Sequence, residues 1–258
     1  MKKIINWKLF FVLLVLCLIT SVLVIPYQLA ITSIEIEVSP FLVVLSALLN
    51  SLIIFSVAAF FGLFFSKRIG MGMPILEGIL QKENKTKEFK SLLLLSIGLG
   101  VFAGILIAAL SIPFNRLIPE FQNMEVSAPV WKGFLASFYG GIAEEILLRL
   151  FVVSLLVWIT FKIKKSKDGN PAIFSIWLSI ILAAVLFGIG HLPATAQIVD
   201  LTGIVITRAI VLNGIGGIIF GWLYWKKGLE SAMIAHFSAD IILHVIIPFA
   251  VSSFKIFS

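Results

Sequence analysis

Seven apolar stretches, each long enough to cross a bilayer as a helix, constrain this sequence more than any other feature. A helix needs about 20 mostly apolar residues to cross a hydrocarbon core of about 30 Å. The stretches cover about residues 9–25, 41–66, 91–112, 133–161, 172–192, 204–224 and 231–250. The sequence therefore predicts an all-α fold, a polytopic transmembrane helix bundle of about seven spans, with eight spans as the alternative.

The composition of the chain excludes most other classes of protein. Of its 258 residues, 60% are apolar and 13% are charged, and the mean hydropathy is +1.12. Soluble domains are about 45–50% apolar and about 25% charged. Cys17 is the only cysteine, so no internal disulfide can form. The chain is therefore not expected to be a soluble globule, a disulfide-stabilised secreted scaffold or a nucleic-acid-binding module.

Lys and Arg residues lie mostly in alternate loops, and this asymmetry predicts the orientation of the bundle. Cytoplasmic loops retain positive charge, so we place the N-terminus in the cytoplasm and the chain in the cell membrane. Fifteen of the 20 basic residues then lie on the inner side: Lys2, Lys3, Lys8, Lys67, Arg68, Lys82, Lys85, Lys87, Lys90, Lys162, Lys164, Lys165, Lys167, Lys226 and Lys227. Arg116, Lys132 and Lys255 lie outside, and Arg149 and Arg208 lie within spans. The placement of basic residues in cytoplasmic loops thus accounts for the net charge of +7. A bundle with an even number of spans is the main alternative.

The first span begins with lysines and continues with an apolar run, a pattern that a cleaved signal peptide shares. The run is longer than the usual about 7–15 residues of a signal peptide. Ile25-Pro26-Tyr27 follows it where small residues would mark a cleavage site. We therefore expect a retained membrane anchor.

Ionisable side chains inside the predicted spans are the candidate functional residues, because each costs about 2.5–3.5 kcal/mol at the centre of a bilayer. They are Glu144, Glu145, Arg149, His191, Arg208, His236, Asp240 and His244. Three of them share the fourth span, which therefore needs polar partners in neighbouring helices or water in a cavity. An ion-pair network that only fixes helix packing is the alternative. We interpret Arg208 as structural, because it lies near a span end and can reach the outer interface.

Helical geometry separates the two glutamates. At 100° per residue, Glu145 and Arg149 lie one turn apart on the same face and can form an ion pair. Glu144 points about 140° away from Arg149 and has no counter-ion in its own helix. A carboxylate in this position suits a general base that takes a proton from water and later returns it. Gly140 and Gly141, one turn earlier, leave room for another backbone or an extended peptide.

Two further spans carry polar residues at helical spacing. Phe187 and His191 lie one turn apart at the end of the fifth span. A single histidine there is more commonly an interfacial hydrogen-bonding residue than a catalyst. His236 and Asp240 lie one turn apart in the last span, and His244 follows one turn later. The carboxylate of Asp240 can fix the tautomer of His236, or both can be satisfied polar residues in a packed bundle.

The candidate residues are predicted at different depths in the membrane. Glu144 and His191 lie about 18 and 20 residues from the inner flank, whereas His236 lies nine residues beyond Lys227. At 1.5 Å per residue, these depths differ by about 13 Å. A tilted or broken last helix, or an inner boundary further along the chain, would reconcile them.

Taken together, the motifs on these three spans resemble those of a known family. They are EExxxR at residues 144–149, FxxxH at residues 187–191 and HxxxN/D at residues 236–240. In these motifs the chain resembles the CAAX prenyl protease and bacteriocin-processing (CPBP, or Abi) family of intramembrane endopeptidases. Each motif alone is weak, but all three in this order on predicted spans make a specific pattern.

The resemblance divides the chain into three parts. Residues 131–247 would form a CPBP-like catalytic helical core, residues 1–130 would form N-terminal transmembrane helices without an assigned motif, and residues 248–258 would form a C-terminal tail. The Lys-rich loops and small size look bacterial. In bacterial relatives the roles include bacteriocin maturation and self-immunity.

The resemblance also implies roles for individual residues. In the family the first glutamate of EExxxR and the histidine of FxxxH are held to be catalytic, which corresponds to Glu144 and His191. The supporting positions correspond to Glu145, Arg149, His236 and Asp240. The family commonly has Asn where this chain has Asp240, and we expect this carboxylate to orient His236.

The implied reaction is hydrolysis of a peptide bond in a peptide or protein substrate in or near the membrane. Glu144 would activate water, and His191 with His236 would stabilise the oxyanion. The same three residues would hold zinc if the enzyme is a metalloendopeptidase. A glutamate-dependent enzyme without metal is the alternative, and the HExxH motif of ordinary zinc proteases is absent.

Two other functions remain open at this point. One is a non-catalytic membrane scaffold or bacteriocin self-immunity protein that keeps the fold and binds a partner. The other is a proton-coupled transporter that uses the buried acids and histidines as a relay.

Overall fold

The computed structural model describes residues 5–32, 39–122, 128–163 and 169–256, which are mostly helical. Seven of the described helices are long and apolar enough to cross a membrane: α1 (Trp7–Thr32), α2 (Pro40–Ile69), α3 (Thr86–Leu117), α4 (Val130–Ile163), α5 (Ile173–Thr195), α6 (Gly203–Lys227) and α7 (Leu229–Ser253). This confirms the predicted all-α transmembrane bundle. Five basic residues counted for the orientation lie outside the described residues: Lys2, Lys3, Lys164, Lys165 and Lys167. The side chain of Lys255 is not described.

Polar caps and glycines set the ends of several helices. At the start of α1 the side chain of Asn6 accepts a hydrogen bond from the backbone N–H of Leu9 at 3.3 Å, and Thr202 caps α6 in the same way. Gly70 ends α2 with φ 71°, and Gly228 separates α6 from α7 with φ 97°. Residues with a Cβ rarely adopt such φ values. The chain can therefore reverse direction sharply at these two points.

Four of the seven helices are interrupted. The helical segments are Trp7–Leu23 and Ile25–Thr32 in α1; Val130–Phe138, Tyr139–Glu144, Ile146–Val153 and Ser154–Ile163 in α4; Ile173–Gly190 and Leu192–Thr195 in α5; and Leu229–Asp240, Ile241–Ile246 and Ile247–Ile256 in α7. Two segments of α4, Tyr139–Glu144 and Ile146–Val153, and one of α7, Ile241–Ile246, are π-helical. Short π-helical turns occur frequently at functional sites.

The central helix of the bundle is α4, which contacts α1, α2, α5, α6 and α7. Small residues allow close approach around it: a Cβ on Gly221 of α6 would lie 2.7 Å from Cγ2 of Ile180 on α5. The buried hydroxyls of Ser154 on α4 and Tyr224 on α6 lie 2.7 Å apart. Helix α3 packs on α6 and α7. The three motif-bearing helices therefore surround one region of the core.

The beginning of α7 is covered by the segment that connects α2 to α3. Leu229 is fully buried, and its backbone N–H donates to the carbonyl of Gly72 at 2.9 Å. The carboxylate of Glu230 accepts from the backbone N–H of Leu76 at 2.8 Å, within the short helix Pro74–Leu80. The first residues of α7 are therefore enclosed by the protein.

Arg208 makes contacts that agree with a structural role. Its Nε donates to Oδ1 of Asn115 on α3 at 3.1 Å. Its guanidinium carbon lies 4.5 Å from the centre of the Phe121 ring. Arg208 thus joins the end of α3 to the start of α6, away from the other ionisable residues of the spans.

Candidate functional site

Arg149 and Glu145 form a buried ion pair inside α4. Nη1 of Arg149 lies 2.6 Å from Oε1 of Glu145, and the two side chains are 2% and 0% exposed. Nη2 of Arg149 lies 3.4 Å from the carbonyl oxygens of Gly216 and Gly217 on α6. The predicted pairing of Glu145 with Arg149 is thus present. Removing one partner would leave a buried charge without compensation.

Two phenylalanines enclose the buried polar groups. The guanidinium of Arg149 lies 5.2 Å from the ring centre of Phe187 and 5.4 Å from that of Phe220. The ring of His236 stacks on Phe220 with centroids 4.8 Å apart, and Phe187 meets His236 edge-on at 5.8 Å. Contacts between a cation and an aromatic ring are favourable when the cation is removed from water. The phenylalanines therefore hold the arginine and the histidine in a largely dry environment.

His236 is oriented by Glu145. Its Nδ1 lies 2.8 Å from Oε1 of Glu145, the oxygen that also pairs with Arg149. An ionised carboxylate only accepts hydrogen bonds, so Nδ1 of His236 is the donor. We expected Asp240 to orient this ring, but Oδ1 of Asp240 lies 3.7 Å from Nε2, beyond hydrogen-bonding distance. Glu145, and not Asp240, thus forms the hydrogen bond that orients the ring of His236, because α4 approaches His236 more closely than the Asp240 side chain does.

Glu144 and Asp240 face the other nitrogen of His236. Oε2 of Glu144 lies 3.7 Å from Nε2 of His236. The Glu144 side chain is 23% exposed, whereas that of Glu145 is fully buried. As predicted, Glu144 does not share the ion pair of Glu145 and Arg149. Two consecutive glutamates thus have different surroundings, one enclosed and one accessible.

Glycines of α4 allow α7 to approach the carboxylates. A Cβ on Gly140 would lie 3.2 Å from Nε2 of His236, and it would also clash with the carboxylate of Asp240. A Cβ on Gly141 would lie 2.8 Å from Cβ of Phe237. The space predicted beside these glycines is therefore occupied by the neighbouring helix α7. Only glycine fits at Gly140 without displacing the site.

His191 lies beside this cluster and is joined to it through Phe187. Its Nδ1 lies 2.8 Å from the carbonyl oxygen of Phe187, to which it donates, and its ring meets that of Phe187 edge-on at 4.7 Å. Phe187 in turn contacts His236. Among the described residues, no carboxylate lies within 4.0 Å of a ring nitrogen of His191. The structure thus brings Glu144 and His236 together and places His191 at the edge of the site.

Sequence reasoning missed two aromatic residues of the site. Phe220 stacks on His236, and Tyr27 of α1 lies with its hydroxyl 2.9 Å from Nδ1 of His244. Nε2 of His244 lies 3.9 Å from Oδ1 of Asp240. The spacing of His236, Asp240 and His244 along one helical face did indicate His244 from the sequence. No local pattern singles out Tyr27 or Phe220.

The residues predicted to hold zinc are Glu144, His191 and His236. Within the described residues, no cluster of three or more His, Cys, Asp or Glu side chains is placed to hold a metal ion. Nδ1 of His236 is engaged by Glu145, and Nδ1 of His191 is engaged by the carbonyl of Phe187. We therefore derive no chemical step that passes through zinc.

The fold and the site define a multi-pass membrane protein with a buried acid and imidazole cluster. Residues 126–242, a little under half of the chain, match a family model described as type II CAAX prenyl endopeptidase Rce1-like. No curated protein and no solved structure matches the chain. The match confirms the resemblance carried by the three motifs: residues 126–242 are similar to type II CAAX prenyl endopeptidases, which is consistent with the CPBP family.

Proposed function

We propose that this protein is an intramembrane endopeptidase that hydrolyses a peptide bond of a membrane-associated peptide or protein. The observation that carries the proposal is the contrast between the two glutamates. Glu145 is sealed in an ion pair, and Glu144 is accessible and faces Nε2 of His236 at 3.7 Å. A partly exposed carboxylate beside an imidazole is a suitable pair for moving a proton to and from water.

Glu144 acts as the general base in this proposal. Its carboxylate takes a proton from a water molecule, and the resulting hydroxide attacks the carbonyl carbon of the substrate. The C–N bond then breaks, and the proton held by Glu144 goes to the leaving amine. Glu145 is unsuited to this role, because Oε1 is occupied by Arg149 and His236 and the side chain has no contact with solvent.

His236 assists through its Nε2 atom. Because Nδ1 donates to Glu145, the neutral ring carries a lone pair on Nε2. The protonated ring instead carries a donor there, which is the form that would stabilise the oxyanion. His191 donates through Nδ1 to Phe187, so its Nε2 has the same two options. Both histidines would act through Nε2, and His191 would approach the reacting carbonyl from the side of Phe187.

The test uses the purified full-length chain in detergent or liposomes. The probe is a farnesylated peptide that ends in a CaaX sequence, the substrate class in the name of the matched family. Cleavage that is lost in Glu144→Ala and in His191→Ala supports the protease. Partner binding that survives both changes, without cleavage, supports the scaffold or immunity protein. Proton-coupled flux supports the transporter.

The natural substrate is sought in cells, because the probe only represents a class. Peptides extracted from membranes of cells with the wild-type chain are compared with those from cells with Glu144→Ala. New peptide termini that require Glu144 identify the cleavage sites. If no terminus differs between the two cell lines, proteolysis is contradicted.

Zinc dependence and orientation are separate parts of the proposal. Stoichiometric zinc in the purified chain, lost on His191→Ala, would make the enzyme a metalloendopeptidase; a zinc-free active chain would make it metal-independent.

We also propose that the N-terminus lies in the cytoplasm. Reporter fusions before Lys8 and after Lys227 should both respond as cytoplasmic, because the basic residues cluster on that side.

A further inference from the structure

The first membrane helix, α1, reaches the site although it lies outside the segment that matches the family. The hydroxyl of Tyr27 lies 2.9 Å from Nδ1 of His244 on α7, and the two rings meet edge to face with centroids 5.2 Å apart. The two residues are 217 positions apart in the chain. A hydrogen bond between such distant residues fixes the position of α1 relative to the site.

Local structure on both sides holds His244 in place. The helix of α1 is interrupted at Val24, just before Pro26, and its second part packs against the first segment of α4. That segment contains Gly133, where a Cβ would lie 3.0 Å from Cβ of His244. The ring of His244 is thus placed by α1 through Tyr27, while α4 packs closely against its backbone.

The direction of the Tyr27 hydrogen bond is linked to the position of the proton on the neutral ring of His244. A phenol hydroxyl is a good donor, and an unprotonated ring nitrogen is an acceptor. If Tyr27 donates to Nδ1, the neutral ring of His244 carries its proton on Nε2. This nitrogen faces Oδ1 of Asp240 at 3.9 Å, and the same oxygen lies 3.7 Å from Nε2 of His236. A row of polar groups then leads from α1 to the proposed general base.

We propose that Tyr27 and His244 are positioning residues of the site. Tyr27 holds His244 with its Nε2–H on the side of Asp240. The Asp240 carboxylate thereby lies between two imidazoles, 3.9 Å from Nε2 of His244 and 3.7 Å from Nε2 of His236, and it interacts with both through charge and not through a direct hydrogen bond. The effect on cleavage rests on the proposed function. The arrangement of protons and rings does not, so the two can be tested separately.

The first experiment measures the arrangement without any substrate. The chain has only three histidines, so NMR of the full-length protein labelled with ¹⁵N-histidine gives six ring nitrogen signals. These are assigned by His→Gln substitution of each residue in turn. We expect His244 to be protonated on Nε2 and unprotonated on Nδ1. A proton on Nδ1 of His244 in the wild-type chain would overturn the proposal.

The second measurement removes the hydroxyl of Tyr27. In Tyr27→Phe we expect the ring nitrogen signals of His244 to shift, and those of His236 to shift with them, because Asp240 lies between the two rings. The matched control is Gln28→Ala, the adjacent and exposed position, which should leave both sets of signals unchanged. Signals of His236 that do not respond to Tyr27→Phe would contradict the proposal.

The third measurement uses cleavage of the farnesylated CaaX peptide. We expect Tyr27→Phe to lower kcat by about 5-fold without changing KM, the effect of one lost hydrogen bond. The reduction should disappear when Asp240→Asn is already present, since residues that act through one another are not additive. A wild-type chain that fails to cleave the peptide, and whose cells show no peptide terminus that requires Glu144, would contradict the proposed function and leave the NMR result standing. If the effects of Tyr27→Phe and Asp240→Asn are additive in an enzyme that cleaves the peptide, only the positioning role is contradicted.

Discussion

The ring of His236 separates two regions that differ in almost every property. On the Nδ1 side, Glu145 and Arg149 are buried, and the described contacts include an ion pair, two backbone carbonyls and two phenylalanine rings. On the Nε2 side, Glu144 and Asp240 lie 3.7 Å away, and Glu144 is partly exposed. The comparison teaches that one histidine can be held rigidly through one nitrogen while the other stays free for chemistry.

Glu144→Gln tests the accessible side most directly. The substitution keeps the shape of the side chain and removes its ability to take a proton, so we expect cleavage of the farnesylated peptide to fall by about 10²- to 10⁴-fold. Thermal unfolding should change little. Asp200→Asn, an exposed acid outside the site, serves as the control. Retained cleavage in Glu144→Gln would show that another group is the base.

Arg149→Met tests the enclosed side. It leaves Glu145 buried without a counter-ion, and we expect the free energy of unfolding to fall by about 3–5 kcal/mol. The measurement is unfolding of the purified chain in mixed micelles with increasing SDS. The double variant Glu145→Gln with Arg149→Met should recover part of the loss, because no buried charge remains. A double variant that is no more stable than Arg149→Met would contradict the ion-pair interpretation.

Gly140→Ala probes the boundary between the two sides. The new methyl group would meet Nε2 of His236 and the carboxylate of Asp240, so we expect a loss of about 1–3 kcal/mol in stability together with reduced cleavage. Gly214→Ala on α6 is the matched control, since nothing lies within 4 Å of a Cβ there. Equal effects at both positions would mean that the substitution acts through the helix backbone and not through the site.

Phe220→Leu should have the smallest effect. It removes the ring that stacks on His236 and contacts Arg149, and such aromatic contacts contribute about 0.5–1.5 kcal/mol. Unfolding in SDS measures the loss. The control is Phe249→Leu, whose ring is 62% exposed. If the two substitutions are equivalent, Phe220 serves only as apolar filling.

The sequence predicted the spans well because a membrane leaves few options for a long apolar segment. It also predicted the pairing of Glu145 with Arg149, since partners one turn apart on a helix meet regardless of the rest of the fold. The place of Glu144 away from that pair follows from the same rule. These predictions depend on one helix each and needed no knowledge of packing.

Contacts between helices were harder to predict. The hydrogen bond from His236 goes to Glu145, 91 positions away, and not to Asp240 in the same helix. The choice depends on how closely Gly140 and Gly141 let α7 approach α4. Tyr27 is more distant still, and its role depends on the interruption of α1 near Pro26. The predicted difference in depth between Glu144 and His236 is absent, since their side chains lie 3.7 Å apart.

The wide turns of α4 make the site sensitive to the length of the chain. Glu144 ends one π-helical segment, and Arg149 lies in the next. Deleting a single residue between Gly140 and Glu144 would restore a regular α-helix with little loss of backbone bonding, yet it would rotate Gly140 and all that precedes it by about 100° relative to the carboxylates. Such a shortened chain would still insert in a bilayer with its apolar surface largely intact. It would have lost the register that puts Gly140 opposite His236.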